Sequence, residues 1–300
     1  MNRELWQFLW QDLQPIEGDL QWASLERFAE VVAAEPDWID ESFVAFDRAR
    51  EAVLDQASCV HLHVPAILAL AAPKLDDAQR LKAGRFLLDR FLDAGEEDDH
   101  LLMEVLVAAC GSMGPVVLPL VLEAADREVE PSSAWGRLWG LTRLAIDAED
   151  RGVRALVAQS CADLLDRVAR DELEFELGIE AAWTLARMRQ EDSAELLRRL
   201  EHASQWTLTH ADYRAARRCL EGDCRDAPDP ELWELPVRDW FEPRWQRVRT
   251  WLLVRDSGGT WEPQRGWGAR REASLPIPIR EHSPQTGPGS TCPCGTAAAT

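Results

Sequence analysis

The chain has 300 residues with 53 Asp+Glu against 33 Lys+Arg, a formal net charge of -20. A body of that sign repels phosphate, which argues against nucleic acid and anionic membranes as partners and for a protein with a basic surface. With 46% hydrophobic residues there is material for a sizeable core, either two average domains or one elongated array.

The first residues, Met1 to Glu4, lead into Leu5–Trp10, and Asp12 interrupts before a secretory signal forms. Cys59, Cys110 and Cys161 sit in apolar, helix-like runs where reduced cysteine behaves as a small hydrophobe. Together these point to a reducing cytoplasm. Cys59-Val-His61-Leu-His63 is a ligand-like cluster. On a strand the three would share a face suited to zinc or copper, but a helix would spread them around its axis. Pro65 and Ala66–Leu70 favour a helix entry here.

Further along, Asp89, Asp93, Glu96, Glu97, Asp98, Asp99 and His100 gather acid just before a helical run. They lack the alternation and central glycine of a calcium loop and suit a solvated helix N-terminus. Val105–Leu122 is uncharged over 18 residues, the lower edge of a membrane span. Gly114-Pro115 in its middle predicts instead two buried helices joined by a turn.

Helical segments come in pairs: 98–112 with 114–125, 133–147 with 151–169, and 174–189 with 192–200. Aligning Cys110, Ile146 and Met188 as the last apolar residue of each first helix gives spacings of 36 and 42. The turns at Gly114-Pro115, Asp150 and Asp192 then become equivalent. This period, with two helices per unit, resembles HEAT repeats over about residues 60–222 and implies an all-α, HEAT-like α-solenoid of antiparallel pairs across 1–222. Trp135 and Trp139, four apart, and Trp183 read as core or inter-repeat packing. HEAT-like hydroxylases carry His-Glu dyads, but only Glu201-His202 and Glu281-His282 occur, in reverse order. No phosphate loop, nucleophile elbow or zinc-protease motif is found either.

After Gly222 the composition changes. From Asp223 onward 10 Lys+Arg meet 11 Asp+Glu, leaving -19 on residues 1–222. Residues 223–263 hold Trp233, Trp240, Trp245, Trp251 and Trp261, with Trp267 just beyond. Phe241, Trp245, Val248 and Leu252 have helical spacing with Arg244 off their face, while a strand over Val248–Val254 competes. Either form is expected to cap the last repeat. The Pro-, Gly-, Arg- and Ser-rich run 264–300 reads as a flexible tail.

That tail ends in Ser290-Thr-Cys292-Pro-Cys294-Gly-Thr296. The segment resembles the opening of the SEC-C motif, a zinc-binding tail module that docks other proteins. The resemblance covers Gly289–Thr296, with Thr291 in place of the usual proline, and lacks the Lys-rich stretch and second ligand pair. It implies metal ligation by Cys292 and Cys294. A structural zinc needs four ligands, leaving His282, Cys219, Cys224 or a second chain to complete it. The expectation is a non-catalytic bacterial protein-interaction adaptor. A HEAT-like lyase, which an exposed cysteine would favour, and an acidic neutralising or regulatory protein are the alternatives.

Overall fold

The computed structural model describes residues 20–35, 37–52, 60–94, 100–125, 133–173, 175–203, 207–228 and 231–256. It is all-helical there, with twelve α-helices and no strand among the described residues. They are α1 (Trp22–Ala34), α2 (Asp37–Ala52), α3 (Val60–Ala71), α4 (Asp77–Leu92), α5 (His100–Ser112) and α6 (Leu118–Ala125). Then follow α7 (Ser133–Gly140), α8 (Arg151–Ala169), α9 (Gly178–Arg187), α10 (Ala194–Ala203), α11 (Thr207–Leu220) and α12 (Val237–Asp256). All lie in one unit spanning Met1–Glu262.

Local chemistry sets the helix ends where the turn residues lie. Asp76 caps α4 in a capping box: its carboxylate accepts from the Gln79 backbone at 2.8 Å, and the Gln79 side chain accepts from the Asp76 N–H at 2.9 Å. Asp150 caps α8, accepting from the Gly152 N–H at 2.7 Å and the Val153 N–H at 3.2 Å. Gly114 takes φ 78 before Pro115, bending Leu101–Ser112 from Pro115–Ala125 by 107°. No single helix among the described residues is long and apolar enough to cross a membrane; only this bent pair passes a test of length and composition. Leu102–Gly111 and Val117–Leu118 are buried in the protein.

The helices associate in two rows. α1, α3, α5, α7, α9 and α11 meet one another in succession, as do α2, α4, α6, α8 and α10. Consecutive helices cross between the rows, most extensively at α2–α3, α4–α5, α8–α9 and α10–α11. A continuous apolar core runs between them, from Leu25 and Phe28 through Leu62, Ile67 and Leu106 to Leu141, Trp183 and Tyr213. Burying each such side chain stabilises the fold by about 1.5–3 kcal/mol. Trp139 and Trp183 are core residues, as their spacing suggests.

The outer surface of the even-numbered row is stitched by exposed ion pairs. Arg90 of α4 holds Asp47 of α2 through both carboxylate oxygens at 2.7 and 2.8 Å. Lys82 of α4 reaches Asp40 of α2 at 2.6 Å, and Arg199 of α10 reaches Asp166 of α8 at 3.7 Å. Exposed pairs of this kind contribute about 0–1 kcal/mol each.

Residues 237–256 form one helix, as the spacing of Phe241, Trp245, Val248 and Leu252 predicts, and the competing strand over Val248–Val254 is not formed. That helix does not cap the last repeat beyond α11, contrary to expectation. Its main neighbours are α3 and α5, near the opposite end of the odd-numbered row.

Candidate functional site: the face beneath the C-terminal strap

The odd-numbered row has one side against the even-numbered row. Its other side is met by residues 223–228 and 231–256, which contact α9, α5, α3 and α1. This covered face holds two buried charges, Glu104 and Arg143.

The strap begins at a helix stop. Gly222 adopts φ 101, its N–H reaches the Cys219 carbonyl, and the Asp223 N–H reaches that of Arg218, closing α11 in a Schellman pattern. Cys219 and Cys224 are joined as a disulfide across this turn. Asp223 pairs with Arg225, and Arg218 with Asp226. The strap then meets α9, where Arg187 donates to the Pro228 carbonyl at 3.3 Å and faces Glu234 at 3.8 Å.

Arg143 forms the first clamp. It lies in the 3-10 continuation of α7 (Leu141–Ile146) with its side chain 1% exposed. It donates to Glu180 of α9 and to Glu231 of the strap. One guanidinium facing two carboxylates leaves a buried excess of negative charge. Burial, with repulsion from Glu180 and Glu234, outweighs the pull of Arg143 and Arg187 and raises the Glu231 carboxyl to about 7. Next to it the Trp233 side chain packs against α5 at Gly111, where an added Cβ would sit 2.4 Å from the ring Cγ. Only glycine admits this approach.

Glu104 forms the second clamp. This α5 carboxylate, 5% exposed, accepts from Arg244 Nε of α12 at 2.7 Å and faces Arg137 of α7 at 3.6 Å. Burial and the neighbouring Arg244 push the Arg137 guanidinium down from its usual value, while Glu104 pulls it up. A second Arg244 nitrogen donates to the Trp240 carbonyl at 2.6 Å, inside the turn that Pro243 interrupts. Trp240, Phe241 and Trp245 are buried beside it. Phe241 meets His63 of α3 at 5.8 Å and Trp22 of α1 edge-on at 6.0 Å between ring centroids. The Trp22 indole donates to Glu242 at 3.3 Å, and Arg238 stacks over the Trp22 ring at 4.9 Å.

This contact is imperfect. Both His63 ring nitrogens, Trp240 Nε1 and Arg143 Nε are buried with no hydrogen-bond partner among the described residues. Each such group costs about 1–3 kcal/mol relative to a satisfied one. Burial, assisted by the charge of His61, pushes the His63 imidazole down to about 3, so it is neutral at any physiological pH. A further buried acid, Glu201 of α10, lies away from the strap. Burial pushes its carboxyl up, but Arg214 at 2.8 Å and Arg217 at 3.1 Å hold it below its usual value.

Several sequence-derived candidates change here. His61 and His63 lie in the first turn of α3 and are buried core residues; no group of three or more His, Cys, Asp or Glu among the described residues is arranged to hold a metal. Cys59, Cys292, Cys294, His282 and the acidic stretch 95–99 lie outside the described residues. Cys219 and Cys224 were candidates to complete a zinc site, but their sulfurs are bonded to each other and are not thiolate ligands in this state. Cys110 and Cys161 are free, buried, and pushed up to about 12 by burial. Arg244 is at the interface, not off the packed face of its helix.

No protein-family model, curated protein or solved structure matches the chain. Sequence reasoning passed over Glu104 and Arg143, although a signal was present: each is a lone charge inside an apolar helical run, Leu101–Cys110 and Leu141–Ile146. A charge in that setting needs a buried partner.

Proposed function

We propose that the chain is a HEAT-like α-solenoid with a Trp-rich C-terminal segment, acting as a non-catalytic adaptor that docks a protein with a basic surface. The observation that carries this reading is the face of α3 and α5. It is met by α12, which buries Trp240, Phe241 and Trp245 and sets Arg244 on buried Glu104. Helix-in-groove recognition works in this way. The succession of helices in two rows supports the repeat reading, and the -19 charge on residues 1–222 supports a basic partner. The burial of Cys110 and Cys161 speaks against a lyase using either as a nucleophile.

The Cys-Pro-Cys tail adds a metal-dependent contact in this proposal. Cys292 and Cys294 supply two zinc ligands, and with Cys219 and Cys224 bonded to each other the remaining two come from a second chain, or one from His282 and one from a second chain. Affinity capture with the intact chain, with and without residues 285–300, followed by association kinetics at two salt concentrations, tests the adaptor reading. A partner of net positive charge whose association slows as salt rises supports it. A partner captured equally well at high salt, or a partner that is itself acidic, overturns it.

A further inference from the structure

Residues 237–256 carry five arginines, Arg238, Arg244, Arg247, Arg249 and Arg255, against Asp239, Glu242 and Asp256. This basic, aromatic helix lies on a body of charge -19. Its anchoring pattern is short: an aromatic pair, Trp240-Phe241, then Arg244-Trp245 one turn later. The pair fills the apolar centre and the arginine reaches Glu104. The same interface leaves the His63 nitrogens and Trp240 Nε1 without a hydrogen-bond partner among the described residues. A permanently closed core is expected to have such atoms satisfied or replaced by apolar groups.

We infer that α12 is an internal stand-in for a partner helix, and that the α3–α5 face it covers is the docking site. The partner is a protein helix of the same chemistry, basic and amphipathic, with an aromatic pair followed one turn later by an arginine for Glu104. A polar side chain on that helix, placed to meet His63, makes a bond that Phe241 does not make. This deepens the adaptor reading and rests on it. Because the strap is tethered, its effective concentration at the face is high, and a free helix competes poorly until the strap is loosened.

The test uses the full-length chain and a labelled peptide of residues 236–256, followed by fluorescence anisotropy. The peptide omits Trp233, so strap and peptide can be perturbed separately. Gly111→Ala drives the Trp233 ring off α5, and Arg244→Ala removes the strap's hold on Glu104; circular dichroism and melting check that each variant folds. Either variant is expected to bind the peptide at least tenfold more tightly than the unmodified chain. Adding Glu104→Gln to the Gly111→Ala chain is expected to reverse the gain, as is Arg244→Ala in the peptide. No gain in either folded variant, or a gain indifferent to Glu104, overturns the inference. Failure here leaves a salt-dependent basic partner bound elsewhere on the acidic surface, so the two readings fail on different results.

Discussion

Replacing Glu231 by glutamine should stabilise the protein, although it deletes an ion-pair partner of a buried arginine. Arg143 keeps Glu180, so its charge remains compensated. The carboxyl of Glu231, about 7 in the fold against an ordinary 4.5, binds its proton more tightly folded than unfolded. Its stabilising contribution is fully present below 4.5 and is lost as pH climbs through about 7. Each tenfold preference for the proton is worth about 1.4 kcal/mol, which sets a ceiling of about 3 kcal/mol across this window. Glutamine mimics the protonated acid at every pH. Urea unfolding of both proteins, followed by tryptophan fluorescence at pH 5 and pH 8, should show near-equal stability at pH 5. At pH 8 the variant should be more stable, by up to about 3 kcal/mol. The groups facing Glu231 are Arg143, Glu180, Glu234 and Arg187, and none is altered. Parallel profiles for the two proteins would refute the charge accounting at this clamp, and a variant weaker at pH 8 would reverse it.

Two further outcomes follow from other parts of the molecule. The Tyr213 hydroxyl donates to the Phe175 carbonyl at 2.6 Å in a buried setting, so Tyr213→Phe should cost about 1–2 kcal/mol in the same unfolding assay; a neutral result would show that this bond is not formed. For the tail, metal analysis of the purified chain should find weak or shared zinc, because two cysteines cannot close a tetrahedral site. One tightly held zinc per chain that is released by Cys292→Ser and by His282→Ala would place both residues in the site, and undiminished zinc in either variant would remove that residue from it.

The helical content was legible because Ala, Leu, Glu and Arg recur at helical spacing and because the stops carry turn chemistry. Asp150 is an N-cap and Gly114-Pro115 is a bend, where those residue types predict them. The buried Val105–Leu122 run was legible for the same reason. The course of residues 223–256 was not. A local pattern specifies which face of α12 is apolar, through Phe241 and Trp245, but does not say which of several apolar surfaces it meets. That choice is made by long-range pairs: Arg244 with Glu104, separated by 140 residues, Arg143 with Glu231, separated by 88, and Trp233 against Gly111. The Cys219–Cys224 bond escaped for a related reason. A Cys-x4-Cys spacing is compatible with zinc ligation and reads equally well as a ligand pair, and only the Schellman turn at Gly222 shows that the two sulfurs are brought together.

Native-state hydrogen exchange tests the central claim, that the C-terminal strap is a separable occupant of the odd-numbered row. The amides of Trp240–Arg247 in α12 are to be compared with those of Leu102–Cys110 in α5 beneath them. A displaceable strap opens without unfolding the body, so the α12 amides should exchange through a local opening of lower free energy and smaller denaturant dependence than those of α5. Identical opening free energies and denaturant slopes for the two helices would make α12 an inseparable part of the core and contradict the account.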